Sequence, residues 1–177
     1  MTCNMKKLML PDFFQASEVP IVHKFYRNYF KDCYVCGDVD YIFGPNTAFF
    51  DHCEIHSIAR VSEEKAYITA ASTPAGQEFG LIFSHCRITG EEPDSVYLGR
   101  PWRDCAKTAF ICCELGDHIC PEGWQNWGKV RAEVLSDYIE YGNFGPGADC
   151  SGRSPLSRCL VNPEVETYLQ DWQSITS

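Results

Sequence analysis

No stretch of this 177-residue sequence approaches the roughly 18 consecutive apolar residues that a membrane-crossing helix needs. Positive charge is also scarce. Fifteen Lys and Arg stand against 24 Asp and Glu, a formal net charge of −9, which argues against a nucleic-acid partner or an anionic membrane surface. There is no glycine-rich phosphate loop and no G-x-S-x-G elbow, so phosphate-cradling and serine-hydrolase readings have no foothold. Helical periodicity is missing through Ser136, and only residues 163–172, opened by Pro163, read as a short helix. The opening MTCNMKKLMLPDFF carries two lysines and an apolar patch that stops at Pro11 and Asp12, too short for the core of a signal peptide. As it stands, the sequence predicts a cytoplasmic chain and a monomer.

What is present is a globular composition with 45% apolar and 14% aromatic residues, enough for a packed interior in one domain spanning 1–177. Eleven cysteines are an odd number, so a complete intramolecular disulfide framework is impossible. Reduced, buried thiols behaving as small hydrophobes are the expectation, with a disulfide or metal role for some as the alternative.

Four of the cysteines carry a repeat. Tyr29-Phe30-x-x-Cys33-x-Val35-x-Gly37 is followed by Phe49-Phe50-x-x-Cys53-x-Ile55-x-Ser57, by Ile82-Phe83-x-x-Cys86-x-Ile88-x-Gly90 and by Ala109-Phe110-x-x-Cys113-x-Leu115-x-Asp117. In each unit, period-two alternation puts the Cys and the next apolar residue on one face of a strand, and a small or polar residue then turns the chain. Successive cysteines are 20, 33 and 27 residues apart, the spacing of a β-solenoid in which each coil buries its face only against its neighbours. The pattern predicts an all-β chain with Cys33, Cys53, Cys86 and Cys113 in an interior column; four strands of a Cys-rich sheet alike by chance are the alternative.

The carboxylates of interest lie in Gly37-Asp38-Val39-Asp40-Tyr41-Ile42-Phe43-Gly44. Asp38 reads as a turn residue. Asp40 interrupts an apolar run, where a carboxylate is costly unless partnered. The partner expected for it is Arg100 in Leu98-Gly99-Arg100-Pro101-Trp102, whose planar fork suits a carboxylate; a plain surface salt bridge is the other reading. Trp102 and Trp124, the latter in Pro121-Glu122-Gly123-Trp124, sit in Gly- and Pro-bearing loops, where a ring either offers a face to a sugar or anchors the core. Cys33-x-x-Cys36 has zinc-like spacing with His52, Cys53 and His56 nearby. On a strand, however, His52 and His56 stand about 13 Å apart, too far to share an ion. No metal and no cofactor are expected.

In this order, GDVDYIFG, YLGRPW and PEGW resemble the signatures of the pectin methylesterase (pectinesterase) family, and YITAASTPAGQEFGLIFSHCRITG is similar to the coil between the first two. The likeness runs from about residue 25 to about 148, leaving 149–177 as a C-terminal tail. It implies a single-stranded right-handed parallel β-helix of the pectin-lyase-like kind, matching the C-terminal portion of the family's catalytic domain and so N-terminally truncated. It also implies hydrolysis of methyl esters on the galacturonate units of pectin (homogalacturonan), with Asp40 as nucleophile, Arg100 holding it, and Trp102 and Trp124 lining a sugar groove. No metal is implied. A pectin substrate would go with an extracellular or cell-wall location.

The chain departs from the family upstream of Asp40. The family's general-acid aspartate and oxyanion glutamine, a Q-D-T-L-like motif, have no counterpart: the family spacing lands on Val19, or near Cys3 with a loop insertion, and Glu18 and Asp12 are the nearby carboxyls. A non-catalytic pectin-binding remnant is therefore the alternative to an esterase. A calcium-dependent lyase would want a cluster of carboxylates, and only Asp38 and Asp40 cluster here.

Overall fold

The computed structural model describes residues 4–5, 8–9, 27–62 and 64–160; the helix expected at 163–172 lies outside them. The chain winds as a three-sided coil, giving one strand to each of three parallel sheets per turn. The coils run β1 (Asn4–Met5), β2 (Leu8–Met9) and β3 (Arg27–Lys31), then β4 (Tyr34–Gly37), β5 (Ile42–Gly44) and β6 (Thr47–Asp51). Next come β7 (Glu54–Ser57), β8 (Ala66–Ala71) and β9 (Leu81–Ser84), then β10 (Arg87–Gly90), β11 (Val96–Pro101) and β12 (Lys107–Ile111). The last turn holds β13 (Glu114–Leu115), the four-residue helix α1 (Ala132–Leu135) and β14 (Asp137–Tyr141); beyond a 3-10 turn at Pro146–Ala148, β15 (Ser157–Cys159) adds one further rung to the sheet of β14. The sheets are ordered β1-β4-β7-β10-β13, β11-β8-β5-β2 and β15-β14-β12-β9-β6-β3, with every pairing parallel. This is the solenoid that the repeat predicts, in the right-handed parallel β-helical form that the resemblance implies.

The repeat sets the register. Phe30, Phe50, Phe83 and Phe110 occupy matched positions on β3, β6, β9 and β12, and their rings stack at 4.9, 4.7 and 4.5 Å. Such contacts add about 0.5–1.5 kcal/mol per pair beyond burial. Three residues on, Cys53, Cys86 and Cys113 are buried, and Cys33 packs against the same core. Their thiols donate to backbone carbonyls, Cys86 to Phe50 O at 3.3 Å and Cys113 to Phe83 O at 3.5 Å. Val35, Ile55, Ile88 and Leu115 complete that wall. Cys36 alternates to the opposite face of β4 from Val35, so Cys33 and Cys36 do not converge on an ion.

Residues 149–160, the described part of the expected tail 149–177, pack onto the last coil. β15 pairs with β14, Cys150 and Cys159 form a disulfide, and Arg153 is buried against Glu140. Glu140 takes the rung after Phe110 in the aromatic column, so a charge sits at the end of an apolar stack. Arg153 satisfies both its carboxylate oxygens, at 2.9 and 3.1 Å, and also donates to the carbonyls of Pro121 and Gly147. Reading those polar partners from sequence requires knowing that the chain returns to this rung. Among the described residues no helix is long and apolar enough to cross a membrane.

Candidate functional site

Asp40 occupies the corner between β4 and β5 at φ +47°, a left-handed conformation that Asp adopts more readily than most residues. Its amide donates to Tyr67 O at 2.7 Å, tying the corner to the next coil. Asp38 is the turn residue expected: its Oδ1 accepts from the Val39 amide at 2.8 Å.

Arg100 lies two coils further on. Phe43, Ala70 and Arg100 are in register across β5, β8 and β11. Two strand spacings, about 9.6 Å, separate Arg100 from Phe43, and Asp40 lies three residues before Phe43 on the same coil. Arg100 Nε donates to Asp40 Oδ1 at 3.0 Å and its Nη2 to Oδ2 at 2.5 Å, a two-point fork. The pair is partly shielded, the Arg100 side chain 15% and Asp40 27% exposed. Gly99 is required beside it. A β-carbon there would collide with Thr69 Oγ1, which is itself committed to Leu98 O.

The guanidinium is held between two aromatic faces, Tyr67 at 4.0 Å and Trp127 at 4.3 Å from the ring centroids. Tyr67 is fixed in turn by donating its hydroxyl to Gln125 Oε1 at 2.7 Å, and burial pushes its phenol above the usual range. A cleft of about 200 Å³ opens over the fork, lined by Asp40, Phe43, Ala70, Trp102 and Trp127. Trp102 leans on Phe43 at 5.3 Å, tilted by 56°. Lys129 donates to Trp102 O at 2.8 Å and its ammonium lies 5.2 Å from the Trp127 ring centroid, while the Arg103 guanidinium is 6.0 Å from that of Trp102. Arg103 and Lys129 thus stand beside the two tryptophans of the cleft in a chain whose net charge is −9.

The fork and Trp102 stand together where the sequence anticipates them; Trp124 does not. Gly123, at φ +65°, turns the chain so that Trp124 enters the core, 1% exposed. There it stacks on Tyr138 at 4.3 Å and donates Nε1 to Glu140 Oε1 at 2.8 Å. The groove wall expected from Trp124 is supplied instead by Trp127, at φ +51° and 44% exposed. The sequence signal for it was an aromatic just before Gly128, among polar residues. Asp40 is the only carboxyl lining the cleft among the described residues. The alternative acids Glu18 and Asp12, with Val19 and Cys3, lie outside them.

The family model described as Pectinesterase matches residues 15–167. Pectinesterase 31 of Arabidopsis thaliana is 39% identical over 145 residues, covering 81% of this chain and 44% of the relative. Among solved structures, the pectin methylesterase from carrot superimposes with a TM-score of 0.73 at 30% identity, covering 79% of this chain and 47% of that one. A pectin methylesterase in complex with a hexasaccharide gives 0.66 at 29% identity, covering 80% and 49%. The chain spans about half the length, or less, of the relatives it matches.

Proposed function

The chain belongs to the pectinesterase family, and from that premise we propose that its cleft binds methyl-esterified galacturonate with Asp40 as the nucleophile. The observation that carries this reading is the Asp40–Arg100 fork at the floor of an aromatic cleft. Trp102 and Trp127 offer flat faces to sugar rings, and Arg103 and Lys129 suit a polymer that bears carboxylates. A saccharide ligand in a similar fold supports the same substrate class.

In the proposed reaction an Asp40 oxygen attacks the ester carbonyl carbon, and the bond from that carbon to the methoxy oxygen breaks. The departing oxygen takes a proton and leaves as methanol. Water then attacks the acyl group, releasing the galacturonate carboxylate and regenerating Asp40. Arg100 holds both oxygens of the carboxylate at the edge of the cleft. Asp40 is the one carboxyl that lines the cleft among the described residues.

The sequence has no Q-D-T-L-like motif upstream of Asp40, which favours a second reading, a module that binds pectin without turning it over. Methanol release from methyl-esterified pectin, measured beside binding of the same polymer, separates the two. Release by the native chain that vanishes in Asp40→Asn supports the esterase; binding without release supports the module; neither binding nor release refutes both. A pectin substrate goes with the cell-wall location and not the cytoplasmic one.

A further inference from the structure

Away from the cleft, at the corner joining the sheet of β6 and β9 to the sheet of β7 and β10, the same turn residue recurs on every coil. Asp32, His52, His85 and Cys112 stand at φ +52°, +52°, +52° and +53°. Each amide donates to the carbonyl one coil on, Asp32 to Asp51, His52 to Ser84, His85 to Ile111 and Cys112 to Tyr141. Identical backbones in register launch side chains in parallel. The His52 and His85 rings accordingly stack at 5.1 Å with only 6° between their planes, both exposed.

Each ring has one nitrogen engaged. His52 Nδ1 lies 2.6 Å from Asp51 Oδ1, and His85 Nδ1 lies 2.9 Å from Ser84 Oγ. Asp51 also accepts from Tyr29 Oη at 2.6 Å and faces Lys31 Nζ at 3.3 Å. A carboxylate on Nδ1 keeps the proton there and leaves the Nε2 lone pair free, the arrangement by which histidine ligands are oriented from behind. The Ser84 hydroxyl, which can donate or accept, does the same for His85 when the proton is on Nδ1.

We propose that His52 and His85 form a two-nitrogen site for a divalent transition-metal ion of the nickel, copper or zinc type, bound through the two Nε2 atoms. Metal–nitrogen bonds of about 2.1 Å set the donors roughly 3–4 Å apart, so both rings tilt inward from their stack, which their exposure permits. Water completes the coordination. Imidazole donors suit these ions better than Mg²⁺ or Ca²⁺, which prefer oxygen. Cys112 is not a ligand: its Sγ lies over Gly142, where a β-carbon would sit 3.2 Å away. His56 is not one either, since its Nδ1 pairs with Thr89 Oγ1 at 2.8 Å on the next sheet. The ion would bridge two adjacent coils at their corner and so stabilise the folded chain by mass action.

The test is calorimetric titration of the full chain with Ni²⁺ at pH 7.5, beside its thermal midpoint with and without the ion. One ion per chain is expected, with a higher midpoint. His52→Asn and His85→Asn, both tolerant of the left-handed turn, each remove the binding, while His56→Asn and Cys112→Ser retain it. Asp51→Asn weakens it about 10- to 100-fold, an effect that a chance pair of surface histidines would not show. Absence of binding by the native chain, binding that survives His85→Asn, or binding lost in His56→Asn overturns the proposal.

Discussion

The Arg100 guanidinium meets Asp40 edge to edge across two coils, with an aromatic ring on either face. A point charge does not reproduce that fork. Arg100→Lys is therefore expected to lower methanol release about 10²-fold, and Asp40→Asn to abolish it, because an amide cannot serve as the nucleophile. Initial rates on methyl-esterified pectin decide this; undiminished turnover in Asp40→Asn sinks the assignment.

The two neighbouring tryptophans should respond in opposite ways. Trp127→Ala removes a cleft wall and one face of the Arg100 sandwich, and should raise KM with little change in melting temperature. Trp124→Ala empties a buried site and leaves Glu140 short of a donor, costing about 3–5 kcal/mol of stability. Paired denaturation and kinetic measurements check both arms.

Arg153 and Glu140 are 4% and 2% exposed. Arg153→Met strands a buried carboxylate, and the expected loss is about 3–5 kcal/mol by denaturant unfolding. Adding Glu140→Gln should restore part of it, because the uncompensated charge is then gone.

His118 is fully buried between Gly90 and Gly116, and neither ring nitrogen has a partner. Burial holds its pKa down at about 4, and His56 lowers it further, against an opposing pull from Asp117. Unfolded, the ring binds a proton below about pH 6.5; folded, it resists until about pH 4. The unfolded state thus holds more protons in that window, so stability falls as pH drops through it, by about 3 kcal/mol in all. Stability measured from pH 7 to 4 should show this slope in the native chain, and His118→Leu should flatten it.

Alkylation of the native protein should separate the thiols by depth. Cys36 and Cys105 are half-exposed, whereas Cys53, Cys86 and Cys113 are buried. Mass spectrometry should find the first pair modified early and the column last, with Cys150 and Cys159 reacting only after reduction. Rapid modification of Cys86 in the folded chain would contradict the column.

The sequence made the solenoid legible because its signal is local: a Cys, an apolar residue two later and a turn, repeated at matched phase. Asp40 and Arg100 were legible for a different reason, since a carboxylate in an apolar run needs a cation and the Gly-Arg-Pro segment offers one. Trp124 was not. A ring in a Gly-Pro loop turns either way, and its direction was decided by Gly123 and by Glu140, 16 residues downstream. Nor was the Cys150–Cys159 closure, because pairing two of eleven cysteines needs the path of the last coil. His52 and His85 are 33 residues apart in the sequence and meet only through register.

The phenylalanine column has a mechanical consequence. Between coils the hydrogen bonds of all three sheets run along the solenoid axis, so tension applied end to end pulls on them one after another. Under that load the rungs part singly, each separation taking one ring contact with it, and extension proceeds in small steps. Tension across the axis engages the covalent backbone of every coil at once. The molecule is thus soft along its length and stiff around its girth.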